Sequence, residues 1–363
     1  MIFVNNTSFV KGFFKNIDNE RSALLIYSEV NRRYFTDFNS SDGIIVFTKE
    51  KNYLILDFRY IEAARSKVND FEIILFDNLA DTISEVLLTN GIEKVFFESE
   101  GLNLKTAGFF KKTLNKIAID CIFDDSLDSL IRKSRMIKSD FEIEKLRQSQ
   151  IITEKAFEHA LNLIKPGVTE REIALEIEFY MKKNNAENIA FDLIVISGNK
   201  TSLPHGEPSD KKIEYNDFVT MDIGAVYKGY HSDMTRTVCV GKASAEQKNI
   251  YNTVLNAQLL GLDNIKPGVV CSYIDKTVRD YIYNEGFEGC FGHATGHSVG
   301  LQIHEYPNFS PNCSEILKPG MVLTVEPGIY LSGKFGVRIE DMILLNENSY
   351  ENLTKVDKKL IEL

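Results

Sequence analysis

Val219-Thr220-Met221-Asp222-Ile223-Gly224 is echoed later in the chain by Leu323-Thr324-Val325-Glu326-Pro327-Gly328. Each is an apolar, strand-like run that carries one isolated carboxylate. A second acid follows each run: Asp233 in His231-Ser232-Asp233-Met234-Thr235-Arg236-Thr237, and Glu340 in Gly336-Val337-Arg338-Ile339-Glu340-Asp341. Between the two acid pairs stands a histidine flanked by small residues, in Gly296-His297-Ser298-Val299-Gly300. The segments ahead of the runs repeat as well. Leu163-Ile164-Lys165-Pro166-Gly167-Val168 reappears as Asn264-Ile265-Lys266-Pro267-Gly268-Val269, each placed to follow one helix and precede another. Shared order and similar spacing favour an internal duplication over two unrelated helix hairpins. A duplicated half implies pseudo-twofold symmetry, which would set equivalent acids facing each other.

Four carboxylates gathered in one place repel one another, which raises their pKa values or weakens the fold. Divalent cations remove that conflict, because two of them balance four carboxylates around a neutral His297. An oxygen-rich set with a single imidazole suits manganese, cobalt or zinc better than a thiolate-rich zinc site would, and manganese is the first expectation. Two such ions about 3.5 Å apart can acidify a bridging water and clamp a tetrahedral intermediate. Taken singly, each residue has a plainer reading. Asp222 and Glu326 could be half-exposed strand residues, Asp233 and Glu340 turn or salt-bridge acids (Glu340 with Arg338), and His297 a core histidine. Their joint pattern favours a two-metal site.

Of six histidines, all but His159 fall between residues 205 and 304. His205, His293 and His304 could shuttle a proton or hold a developing oxyanion beside such a site. His231 reads as a surface residue and His159 as structural. Gly296 and Gly300 would let backbone approach a ligand closely. Gly296-His297-Ser298-Val299-Gly300 also spells Gly-x-Ser-x-Gly, but Phe291–Thr295 is a poor strand and no histidine follows at a useful distance, so Ser298 is not expected to be a nucleophile.

Hydrophobic content of 44% and charged content of 26% are ordinary for a globular chain, and 363 residues suggest two domains or one large one. A net charge of −10 disfavours nucleic acid or an anionic membrane as the main partner. Five cysteines (121, 239, 271, 290 and 313), with no Cys-x-x-Cys, suit core positions in a reducing, cytoplasmic setting. Met1–Asn6 shows no leader pattern, and no apolar run approaches a membrane span.

The first ~130 residues alternate strand-like and helix-like stretches, which predicts an α/β domain over 1–130. Gly43–Thr48 and Tyr53–Asp57 read as a hairpin; Phe71–Phe76, Lys94–Glu98 and Ile117–Phe123 read as further strands. Helices are predicted over Ala80–Asn90, stopped by Gly91, and over Lys105–Lys116. Arg132–Lys138 reads as a polar boundary before a second domain over 137–363. Ser139-Asp140-Phe141-Glu142 and Thr169-Glu170-Arg171-Glu172 are capping boxes. The first opens a long helix, with Leu146, Ile151, Ile152 and Phe157 among its apolar positions, to about Lys165; the second opens one to about Lys183.

These motifs, with Leu203-Pro204-His205-Gly206, His304-Glu305 and Gly328-Ile329-Tyr330, resemble the creatinase, aminopeptidase P and methionine aminopeptidase family, known for the pita-bread fold. The match covers roughly residues 137–363. More loosely, the first ~130 residues, including Asn31-Arg32-Arg33-Tyr34-Phe35-Thr36, are similar to the creatinase-type amino-terminal domain. The resemblance implies an α/β domain followed by a pseudo-twofold α+β catalytic domain. It implies that Asp222 binds one metal, that Asp233 and Glu340 bridge both, and that His297 and Glu326 complete the other shell. It implies attack by a metal-bridging hydroxide with Glu326 as candidate general base, and substrate binding and oxyanion stabilisation by His205 and His304. It places His293 on the proline side of the cleft and makes Tyr330 and Arg338 substrate-lining or supporting groups.

The extra domain and the placing of His293 four residues before His297 are typical of the Xaa-Pro branch, so the implied activity is hydrolysis of the bond before proline in peptides or dipeptides. Methionine aminopeptidase activity, hydrolysis of a non-peptide C–N bond and a non-catalytic binding role stay open at this stage. Relatives commonly dimerise, so the resemblance also implies a homodimer.

Overall fold

Ser22–Ile26 is a run of small and apolar residues, all buried, and it forms the middle of a sheet. The computed structural model describes residues 6–15 and 21–363. Met1–Asn5, on which the expectation about a leader mainly rests, lies outside the described residues. The chain divides into two compact units, Met1–Arg135 and Met136–Leu363.

In the first unit, β1 (Ser22–Ile26), β2 (Ile44–Phe47), β3 (Asn52–Leu56), β4 (Glu72–Leu75), β5 (Lys94–Phe97) and β6 (Asp120–Ile122) form one sheet in the order β4-β3-β2-β1-β5-β6. The expected hairpin is present as the antiparallel β2–β3 pair, and β1–β5, β3–β4 and β5–β6 run parallel. Helices α1 (Asn6–Lys15), α2 (Glu29–Thr36), α3 (Ile61–Lys67), α4 (Leu79–Thr89), α5 (Leu104–Asn115) and α6 (Asp125–Met136) complete it. One expectation needs correction. The strand predicted over Ile117–Phe123 is confined to Asp120–Ile122, because the chain first closes α5 through the Ile119 amide to Leu114 O and turns at Ala118 with φ +57°. The division between the units falls inside the basic run read as a boundary, and most of that run, Arg132–Met136, is the end of α6, where cations favour the helix carboxyl terminus.

Parallel sheets take ligands beyond the carboxyl ends of their strands. Here Glu98, just past β5, fills that place. Its buried carboxylate accepts from the Tyr27 and Ser28 amides and, at 2.7 Å, from Asn31 Nδ2 in α2.

The second unit repeats one plan twice. In the first half α7 (Asp140–Leu161) and α8 (Glu170–Lys183) both begin at the expected capping boxes. Leu146, Ile152 and Phe157 are buried on α7, whereas Ile151 is exposed. Strands β7 (Asn188–Ile189), β8 (Ile194–Ser197), β9 (Phe218–Ile223), β10 (Ala225–Tyr227), β11 (Tyr230–His231) and β12 (Met234–Cys239) follow, with β9 antiparallel to both β8 and β12. In the second half α9 (Ala245–Asn264) and α10 (Cys271–Ile282) precede β13 (Gly296–Ser298), β14 (Glu305–Phe309), β15 (Val322–Val325), β16 (Gly328–Leu331), β17 (Phe335–Arg338), β18 (Asp341–Leu345) and β19 (Tyr350–Asn352). The sheet order here is β14-β13-β15-β18-β19, with β15 and β18 antiparallel.

The two Pro-Gly turns match in detail. Gly167 and Gly268 sit at φ +93° and +91°, which glycine adopts without strain. Each glycine amide donates 2.9 Å to the carbonyl of a later strand-like segment, Ile213 in one half and Leu317 in the other. The repeat read in the sequence is therefore a repeat of hydrogen bonding, and the unit has the pita-bread architecture. Among the described residues no helix is long and apolar enough to cross a membrane.

Candidate metal centre

The duplicated plan places the acids. Asp222 stands near the end of β9, and Asp233 immediately precedes β12, the antiparallel partner of β9. Glu326 follows β15 and Glu340 precedes β18, the antiparallel partner of β15. Each half thus delivers one acid at a strand's end and one at the start of its neighbour. His297 lies in β13, beside β15.

Asp233, His297 and Glu340 each offer a ligand atom within 4.8 Å of the other two. His297 Nε2 lies 3.4 Å from Asp233 Oδ2 and 3.4 Å from Glu326 Oε1. His297 Nδ1 is 3.1 Å from Ser298 O. A carbonyl can only accept, so Nδ1 carries a proton and Nε2 is the ring atom turned towards the acids. Asp222 Oδ2 accepts 2.7 Å from Arg338 Nη2, and Glu340 Oε2 accepts 2.7 Å from Thr235 Oγ1. The other oxygens of the same carboxylates, Asp222 Oδ1 and Glu340 Oε1, are buried without a hydrogen-bond donor. Burial, and then the charges of Asp222 and Glu326, push the Asp233 acid well above the usual carboxylate range. Burial followed by the Asp233 charge does the same to Glu340. Donorless buried oxygens on repelling carboxylates are a cost that cations offset, so the donor set fits divalent metal ions.

Among the expected substrate groups, His205, His293, His304 and Arg338 line the same cleft as the five acid and imidazole donors, a cavity of about 1030 Å³. His304 packs edge-on against His297, ring centres 4.4 Å apart. Desolvation in the cleft, then His297, lower its pKa. His205 is exposed on the loop after β8. Tyr330 stands behind the wall: its hydroxyl accepts from Arg338 Nη1 at 2.8 Å and donates to His293 Nε2 at 2.9 Å. His293 Nδ1 is directed to Ala294 O at 2.8 Å, and burial lowers the His293 pKa. Both nitrogens of a neutral His293 are therefore spent within the protein. What it offers the cleft is ring surface.

Other expectations change. His231 is half-buried, not a surface residue, with its amide 2.8 Å from Gly300 O. His159 is structural as expected, stacked on Tyr180 with centres 4.5 Å apart. The small size of Gly296 serves contact with protein: a Cβ there would lie 2.0 Å from Thr324 O. At Gly300 it would meet the Glu305 carboxylate. Ser298 Oγ is buried and donates 2.8 Å to Val322 O, as befits a structural residue. All five cysteines are free, with Cys239, Cys271 and Cys313 buried and Cys121 and Cys290 half-buried.

Supporting residues were not legible beforehand. Thr324 Oγ1 accepts from the His297 amide at 3.0 Å and lies 3.2 Å from Glu326 Oε1. Asp275 and Arg279 pair on α10; Asp275 Oδ1 accepts from Thr295 Oγ1 at 2.9 Å, and Arg279 Nη2 donates 2.8 Å to His293 O. The Asp275-x-x-x-Arg279 spacing is visible in the sequence, but such pairs are common on helices and carry no functional signal alone.

The pattern of metallopeptidase family M24 matches residues 144–347, and that of the creatinase/prolidase N-terminal domain matches 18–137. The chain is 43% identical to the uncharacterized peptidase YqhT of Bacillus subtilis over 94% of its own length and 95% of that protein. A solved Xaa-Pro dipeptidase from Bacillus anthracis superposes with a TM-score of 0.94 at 40% identity, covering 100% of both chains. An X-Pro aminopeptidase from Thermotoga maritima superposes with a TM-score of 0.88 at 35% identity, over 94% of this chain and 97% of that one. The site, the duplicated architecture and these matches agree: the chain belongs to metallopeptidase family M24 and carries a creatinase/prolidase amino-terminal domain.

Proposed function

We propose that this chain is a two-metal exopeptidase that hydrolyses the bond before proline. The observation that carries the metal assignment is the pair of buried, donorless oxygens, Asp222 Oδ1 and Glu340 Oε1, among carboxylates that repel one another. Asp222, Asp233, His297, Glu326 and Glu340 would hold the ions. When bound, two divalent cations, manganese first and cobalt or zinc otherwise, neutralise the carboxylates, acidify water and polarise the scissile carbonyl.

The chain's own groups supply the rest. Glu326, half-buried beside His297, takes the proton of the attacking water and returns it to the departing proline nitrogen. His205 and His304 at the mouth donate to the oxyanion that develops on the carbonyl. Arg338 and Tyr330 hold Asp222 and His293 in place. The ring face of His293, its nitrogens engaged, suits the apolar pyrrolidine ring. Proline lacks an amide N–H, and nothing in this arrangement requires one. The names of the two solved relatives support the same specificity. The cleft is large enough for more than a dipeptide, so dipeptidase and aminopeptidase action are separated by experiment. The reading includes a homodimer, to be checked by light scattering at twice 41.3 kDa. The five free thiols support a reducing, cytoplasmic setting.

The deciding assay is product release, read by mass spectrometry, from Ala-Pro, Ala-Pro-Ala and Met-Ala-Ser with manganese, with and without chelator. Chelator-sensitive cleavage of Ala-Pro alone identifies a dipeptidase, and cleavage of Ala-Pro-Ala an aminopeptidase. Release of methionine alone refutes the proline specificity.

Two expectations follow from the site. His205→Ala should keep wild-type metal content and lose about 100- to 1,000-fold in turnover; metal loss instead would make His205 a ligand. The second concerns pH. Asp233 and Glu340 have raised pKa values in the folded protein, so between the ordinary and the raised values the folded state holds more protons than the unfolded state. Their contribution to metal-free stability therefore falls as pH rises. Manganese binds the deprotonated groups and removes that penalty. The gain in Tm on adding manganese should be larger at about pH 8 than at about pH 5.5; an equal gain at both would mean the metal binds elsewhere.

A further inference from the structure

Lys138 ends the basic run that reads as a polar boundary, yet its side chain is 1% exposed. Its backbone amide donates 2.9 Å to Gly320 O, which lays this segment against the catalytic unit's second half. Its ammonium is 2.9 Å from Ser298 Oγ and 3.2 Å from Glu305 Oε2, and the Glu305 side chain is itself 5% exposed. A buried ion pair adds little net stability, because desolvation offsets the attraction. What this pair does add is geometry. Ser298 follows His297, and Glu305 follows His304. A single ammonium therefore ties together the two ends of the loop that separates these histidines.

The loop is built around the same carboxylate. Gln302 donates its amide to Glu305 Oε1 at 3.2 Å, and the Gly300 amide donates to Gln302 O at 3.0 Å. At Gly300 a side chain would strike Glu305. We propose that Lys138 is a positioning residue that sets the spacing of His297 and His304 by bracing both ends of this loop. The inference rests on the peptidase reading of the site only in what the two histidines are held for.

The test compares Lys138→Met, Lys138→Met/Glu305→Gln and Ser298→Ala in the full chain. Turnover of proline peptides is measured alongside the visible absorption of the cobalt(II)-loaded protein, which reports the surroundings of His297 directly. Lys138→Met alone removes the ammonium that faces the Glu305 carboxylate and should lower Tm. The double variant removes both charges, so its Tm should return towards wild type. Its kcat should still be down about 10- to 100-fold, the effect of a misplaced group, with KM within about twofold and the cobalt bands shifted. Ser298→Ala keeps the ion pair and should shift the bands in the same direction with a smaller loss of kcat.

A double variant with wild-type kcat and cobalt bands would show that the pair serves folding alone and overturn the proposal. Should the double variant not fold, Ser298→Ala decides, and unchanged bands and kcat overturn it. If the wild type cleaves no proline peptide, the functional reading fails, and the cobalt bands still decide the brace.

Discussion

Glu340→Gln is expected to abolish turnover and, at the same time, to raise the Tm of the metal-free protein. The side chain is buried immediately before β18, and its acid is pushed up by burial and by the Asp233, Glu326 and Asp222 charges. Glutamine keeps the volume and can still accept from Thr235, but it removes one of four repelling carboxylates. Metal-free protein gains from that exchange. On the proposed reading the metal-loaded protein loses one of its ligands, so bound manganese should fall from the proposed two ions per chain to one or none. Turnover should drop by more than about 100-fold, the upper range for losing a group that only supports a ligand. Elemental analysis and melting curves with and without metal check the two halves separately. Normal activity would remove Glu340 from the centre. A lower metal-free Tm would show that repulsion among these acids is not the cost inferred here.

Gly296→Ala should be the most damaging small substitution near the site. The added methyl would lie 2.0 Å from Thr324 O and 2.8 Å from Thr324 C, both backbone atoms in the neighbouring strand. Rotating a side chain cannot relieve that contact, so β13 and β15 must move apart. Thr324 also holds the His297 amide and lies beside Glu326 Oε1, and the Glu326 amide donates 2.8 Å to Thr295 O. The displacement would carry two proposed ligands with it. A stability loss of about 2–3 kcal/mol is expected from overpacking of this kind, together with weaker metal binding. Gly292→Ala, where a Cβ meets nothing within 4 Å, is the control and should stay within about 0.5 kcal/mol of wild type. Equal behaviour of the two variants would contradict the close packing of these strands.

The sequence by itself determined what depends on near neighbours. Ser139 and Thr169 cap their helices through contacts three residues away, and both helices start where those patterns predict. The β2–β3 hairpin, the paired Pro-Gly turns and the isolated acids were legible for the same reason: turn chemistry and strand patterning are local, and duplication repeats them in order. That is why the repeat pointed to a common centre before any distance was known.

Tertiary structure decided which partners those residues meet. Asp222 and Arg338 are 116 positions apart, and Lys138 and Ser298 are 160 apart. No periodicity marks such pairs, because their energies arise only when packing excludes water from both partners. The plainer reading of Glu340 paired it with Arg338, whereas the Arg338 guanidinium holds Asp222. Lys138 read as a polar boundary and proved to be buried. His293 read as a group facing substrate, and its two nitrogens are already engaged. Residue types and local order specify the donors; long-range hydrogen bonds and burial together set which of their atoms are left to bind.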